Sequence, residues 1–193
     1  MKLEARWIVV VVLVFAQSIS AADLTLQNIT RDELTSYRNA IIRANAKTAQ
    51  LGGVDFFVVN VAQQALIAVN AITWKQKRAS VQMIKDTLAD IEALCNHQIT
   101  VLIKMTLRNK SDLKTSLKIP DDFKDYLFLE NDQGEFVRAS DAKLPMLKQV
   151  SVFNPQVAFE ATFPLSLPEG QKPLITEATK TITLVVSGLS DAK

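Results

Sequence analysis

Apolar residues recur every three or four positions through much of the first half of the chain and every second position through the second half. Those two periods predict helices followed by half-buried strands. Thr30 and, three residues on, Glu33 have the spacing of a capping box, in which each side chain satisfies a free amide at a helix start. From there Leu34, Tyr37, Ile41, Ala44, Thr48 and Leu51 form one line, while Arg38, Arg43 and Asn45 fall off it. Gly52 and Gly53 follow where a left-handed terminating residue is wanted, so a first helix is expected to end there.

The next stretch, GGVDFFVVNVAQQALIAVNAITW at 52–74, reads as a second helix. At 100° per residue Phe57, Val58, Val61, Ala62, Ala65, Ala68, Val69 and Ile72 gather on one face, and Asp55, Asn60, Gln63, Gln64, Asn70 and Thr73 on the other. It is long enough to cross a bilayer, but its aspartate and its amide side chains are costly in hydrocarbon. A third segment restarts near 73–78, with Thr73 and Gln76 as a capping pair, and carries a seam at Val81, Ile84, Leu88, Ile91 and Cys95. A single long bent helix is the alternative, since neither proline nor glycine interrupts Val54 to Leu94.

At Ile99 the period switches to two. Ile99, Val101, Ile103, Met105 and Leu107 alternate with Thr100, Leu102, Lys104, Thr106 and Arg108. Tyr126–Glu130 and Glu135–Ala139, joined through NDQG, read as a hairpin. Val157, Phe159, Ala161 and Phe163 mark another strand, Ile182, Leu184 and Val186 a last one, and Val150–Phe153 a short one ended by Asn154-Pro155. The expected architecture is α+β: an N-terminal helical array of two to three helices packed against a C-terminal antiparallel β-sandwich of immunoglobulin-like kind. The expected divisions are 1–22, 23–96 for the helical region and 97–193 for the sandwich.

Composition adds compartment. Residues 1–22 have basic Lys2 and Arg6, an apolar run from Trp7 to Ala16, and small Ser20 and Ala22, the three parts of a secretory signal. Cleavage before Asp23, a periplasmic or extracellular location, and no transmembrane span in the mature chain are the expectations. The formal charge of +2, falling to +1 without Lys2, Glu4 and Arg6, gives no footprint for nucleic acid. The one cysteine, Cys95, cannot form an internal disulfide, so the core must hold this protein together.

Candidate chemistry is sparse. Cys95 and His97, the single cysteine and single histidine, share a face only if the chain there is extended, and no third orienting group is identifiable. Asp121, Asp122, Asp125 and Asp132 are the candidates for a weak calcium site, although ENDQGE lacks the acidic ladder of a calcium loop and is sufficient as a turn. Neither a nucleophile elbow nor a phosphate-cradling glycine loop is present in a chain with five glycines. No catalytic residue, cofactor or metal ligand is therefore assigned. The leading expectation is an exported, non-enzymatic binding, adaptor or assembly protein of a bacterial envelope, acting on a protein partner. Its candidate partner surface combines Phe56 and Ile67, which project toward the polar side of the second helix, with the basic cluster Lys75, Lys77 and Arg78. The alternatives are a membrane-surface protein using its apolar helices and a hydrolase or metal-dependent enzyme using unplaced carboxylates.

Overall fold

The computed structural model describes residues 7–13, 30–51, 53–61, 63–108, 116–168 and 172–191. The expected cleavage site before Asp23 and the turn at 109–112 lie outside them. The first strand, β1, is Trp7–Leu13, and the first helix, α1, is Arg31–Ala44. The capping box at its start is formed: Glu33 N–H donates to Thr30 Oγ1 at 3.2 Å and Thr30 N–H to Glu33 Oε2 at 2.6 Å. The bond from the Thr30 backbone N–H, and then the Thr30 hydroxyl, hold the Glu33 carboxyl below its ordinary range.

The helix stops at Ala44, well short of the expected end at Leu51. Asn45, buried, closes it by donating its side-chain amide to Ile41 O at 2.9 Å. Beyond it Ala46–Leu51 is strand β2, and Val54–Asn60 is strand β3. Thr48 and Leu51 therefore belong to a strand and do not continue the helical line. The two strands form a hairpin, with Leu51 paired to Val54 and Gly53 at φ +79° in the link between them. Two glycines between strands suit the tight turns that match the strands' own twist. The helix expected to begin at 54 is corrected for a physical reason. Val54, Phe56, Phe57, Val58 and Val59 are β-branched or aromatic and fit a pleated, buried surface, while Val54, Phe56 and Val58 alternate into the core.

The apolar stretch is thus strand and then helix. Helix α2 is Gln63–Lys77 and α3 is Val81–His97. Their join falls at 78–80, beyond the expected Thr73 start: Arg78 takes φ +51°, and Ser80 Oγ accepts from Met83 N–H at 3.2 Å. α2 presents three alanines and one tryptophan to α1: Ile41 clusters with Ala65 and Ala68, and Leu34 with Ala71 and Trp74. Among the described residues no helix is long and apolar enough to cross a membrane.

The other strands are β4 Gln98–Leu107, β5 Leu117–Lys118, β6 Leu127–Asn131, β7 Phe136–Arg138, β8 Asp141–Lys143, β9 Gln149–Val150, β10 Gln156–Pro164 and β11 Ile182–Asp191, with a 3-10 turn at Phe123–Tyr126. The architecture is α+β with antiparallel pairing throughout the described strands. One sheet runs β2-β3-β4-β10-β8; the other runs β7-β6-β11-β5-β9, with β1 also on β11. The first sheet crosses the expected 96/97 division, because β2 and β3 come from the segment read as helical and pair next to β4.

Alternation decides which side chains the sheets bury. Ile99, Val101, Ile103, Met105 and Leu107 are all buried, as are Val157, Phe159, Ala161 and Phe163, and Ile182, Leu184 and Val186. Both sheets contribute to a single apolar cluster. Phe123 joins it from the 3-10 turn, edge-on to Phe159 with ring centroids 5.3 Å apart.

Candidate binding surfaces

The segment from Leu144 to Pro155 connects β8 to β10 and carries β9 across its middle. Its last turn is tightly bonded. Ser151 N–H donates to Asn154 O at 3.0 Å, Asn154 N–H to Ser151 O at 3.1 Å, and the Asn154 side-chain amide to Gln149 O at 2.7 Å. Val152 packs on the main core while Phe153, at the tip, stands 94% exposed. Met146 and Leu147 on the approach to β9 are 97% and 63% exposed.

The three apolar side chains line one shallow groove of about 450 Å³, with Gln149, Ser151 and Asn154 as polar neighbours and Lys118 and Lys148 beside them. Lys148 donates to Asp121 Oδ1, and this bond holds the Asp121 carboxyl below its ordinary range. The groove can seat an apolar side chain against Phe153 and Met146 and supply amide and hydroxyl partners around it. Turn tips favour glycine, asparagine, aspartate and serine for local backbone reasons, and none of those reasons calls for phenylalanine.

A second concavity, about 360 Å³, lies between the helices and the outer face of the β4-β10-β8 part of the sheet. Leu66 and Leu94 face Thr100, Thr162 and Glu160 across it. Lys143 closes its rim by donating to Glu160 at 3.0 Å, which pushes the lysine pKa up and leaves both charges paired.

The surface expected from the sequence does not assemble. Phe56 is wholly buried and Ile67 is 6% exposed, so neither offers a contact. The reason is the strand at 54–60, which turns Phe56 inward with Val54 and Val58. Lys75, Lys77 and Arg78 are exposed at the end of α2, where positive charge suits the helix dipole. Arg78 closes that end, its N–H donating to Lys75 O at 3.4 Å and the Ala79 N–H to Trp74 O at 2.9 Å.

Cys95 and His97 both sit on α3, and two residues along a helix point to different sides. Burial pushes the Cys95 thiol up, away from thiolate chemistry. Of the aspartates, Asp121 is taken by Lys148, and Asp132 accepts the Lys180 N–H at 3.3 Å. Among the described residues no group of three or more histidine, cysteine, aspartate or glutamate side chains converges as a metal would need.

Sequence reasoning passes over Met146, Leu147 and Phe153, although a signal is present: Phe153 directly precedes Asn154-Pro155, and Met146-Leu147 directly follows Pro145. Large apolar residues embedded in turn punctuation are out of place unless something covers them. Set against protein-family models, curated proteins and solved structures, the chain matches none of them.

Proposed function

We propose that this chain is an exported, non-enzymatic binding protein of a bacterial envelope, a two-sheet β-sandwich of immunoglobulin-like kind carrying a helical layer, which docks a protein partner through Met146, Leu147 and Phe153. The observation that carries this reading is the bonded turn Ser151–Asn154 holding Phe153 in solvent. Exposed apolar patches rimmed by polar groups mark interaction sites, and an aromatic anchor is a common centre of such a site. The export part draws on Lys2, Arg6, the apolar run after them, and Ser20 and Ala22. The sandwich part draws on two antiparallel sheets that share one core.

Charge around the groove favours a protein over a bare anionic bilayer. Lys148 is paired with Asp121, which also lies within the field of Lys118, so no uniform positive face is offered. The test is chemical crosslinking followed by affinity recovery from the envelope fraction, with wild type and Phe153→Ala side by side. A partner retained by wild type and lost from a folded Phe153→Ala protein is the expected result. Equal recovery by both, or flotation of wild type with anionic vesicles that Phe153→Ala abolishes, would overturn the reading.

A further inference from the structure

Strand β11 has a neighbour on each flank along Ile182–Val186. On one side β6 pairs with it, from Ile182 opposite Asn131 to Val186 opposite Leu127. On the other, β1 pairs antiparallel, with Leu13 opposite Ile182, Val12 opposite Thr183, Val10 opposite Val185 and Val9 opposite Val186. β1 also lies against β2, the outermost strand of the other sheet. It therefore lies between the Ile182–Val186 flank of β11 and the β2 edge of the other sheet. Its sequence, WIVVVVL, is a continuous apolar run, aliphatic after the first residue, of the kind that strands buried on both faces carry.

We infer that this flank of β11 is an acceptor slot for an extended aliphatic strand from another envelope protein, opened when the N-terminal segment is removed. The inference rests on the export reading above, because β1 falls within the residues expected to be cleaved. Removing it exposes a row of backbone donors and acceptors beside Ile182, Leu184 and Val186, all of them buried while β1 is in place. An uncovered row of that kind templates pairing with another chain, and β-strand addition is a recurrent way to fill it. The segment paired there sets the length and direction of the occupant, about seven residues and antiparallel, and its own sequence is aliphatic after Trp7. A processed chain no longer contains that strand, and the occupant inferred for the vacated flank is a strand of like sequence from another protein.

The test uses protein recovered from the envelope fraction, its N-terminus sequenced, in a Cys95→Ser background with either Thr183→Cys or Val185→Cys. The probe is a synthetic peptide of residues 5–14, flanked by solubilising lysines, carrying either Val12→Cys or Val10→Cys. The expected result is a processed chain in which the Thr183→Cys variant joins the Val12→Cys peptide, and the Val185→Cys variant the Val10→Cys peptide, at least about tenfold faster than the crossed pairs, because a two-residue offset lies beyond disulfide reach. Circular dichroism confirms that each variant is folded.

Loss of register preference, or no joining by a processed and folded chain, overturns the slot. An envelope protein that still carries residues 1–22 sinks this inference and leaves the reading of the 146–153 groove standing. Absence from the envelope removes both. A dimer of the processed chain that the peptide dissolves would overturn the assignment of the occupant to another protein.

Discussion

Two hydrogen-bonded turns of this molecule treat the side chains at their tips in opposite ways. The turn at 131–135 is built of polar residues and one glycine, closed by bonds to the Asn131 side chain. Asn131, 4% exposed, accepts Gln133 N–H at 3.0 Å and Glu135 N–H at 2.9 Å, and donates to Leu174 O at 3.1 Å. Gly134 supplies the left-handed residue, at φ +78°. Here the polar side chains close the turn or tie it to the neighbouring segment, Asp132 through the Lys180 N–H and Glu135 through Lys172. The turn at 151–154 is also closed by backbone bonds, yet its tip carries a phenylalanine that is 94% exposed. The difference separates a turn whose side chains are bonded within the fold from one whose tip side chain stands in solvent.

Substitutions in the two turns should therefore have opposite signatures. Asn131→Ala strands a buried carbonyl and two turn amides, and is expected to cost about 2–3 kcal/mol in urea denaturation while leaving partner recovery unchanged. Phe153→Ala should do the reverse: stability within about 0.5 kcal/mol of wild type, and partner affinity down by roughly tenfold or more in a titration, as for an aromatic anchor. A smaller effect is expected from Gly134→Ala. Nothing lies within 4 Å of the added Cβ, so only the strain of a positive φ remains, about 1 kcal/mol by thermal denaturation.

The smallest effect is one of pH. Lys172 and then Asn131 hold the Glu135 carboxyl below its ordinary range, through a 2.6 Å bond from Lys172 and a 2.8 Å bond from Asn131. A depressed folded pKa means that the stabilisation is full above the unfolded carboxylate's range and fades as pH falls through the folded value. Melting temperatures of wild type and Glu135→Gln should differ at neutral pH and converge in acid, and the 151–154 turn should show no matching step. The pair is solvent-exposed, so the difference will be modest.

Where period and burial coincide, the fold is legible in the sequence. The strand at 98–107, the aliphatic positions of β10 and β11, the capping box at Thr30 and the NDQG hairpin all follow from one-face alternation or from turn chemistry. The region from 45 to 62 is not. β2, AKTAQL, has little strand character of its own and is held by its hairpin partner. β3 is buried and flanked on both sides, and a short run of apolar residues fits a helical projection as readily as a strand. Gly52-Gly53 reads as a helix stop, but the same pair is also a hairpin signal, and its β-branched and aromatic flank is what decides between them. On that choice hangs whether Phe56 lies at the surface or, as found, in the core. The basic trio at 75–78 is exposed as expected, but it ends a helix. The groove at 146–153 escapes a periodicity reading because its apolar residues belong to no period; only the turn residues around them mark them as misplaced.

Everything proposed for the groove depends on the tip of the 151–154 turn meeting another protein in the envelope. A photoreactive benzoylphenylalanine placed at position 153, and at position 133 as the matched exposed turn, reads this in living cells. A discrete crosslinked product at 153 that is absent at 133 is the expected result. The same pattern at both positions, or none at 153 from a folded and exported chain, would contradict it.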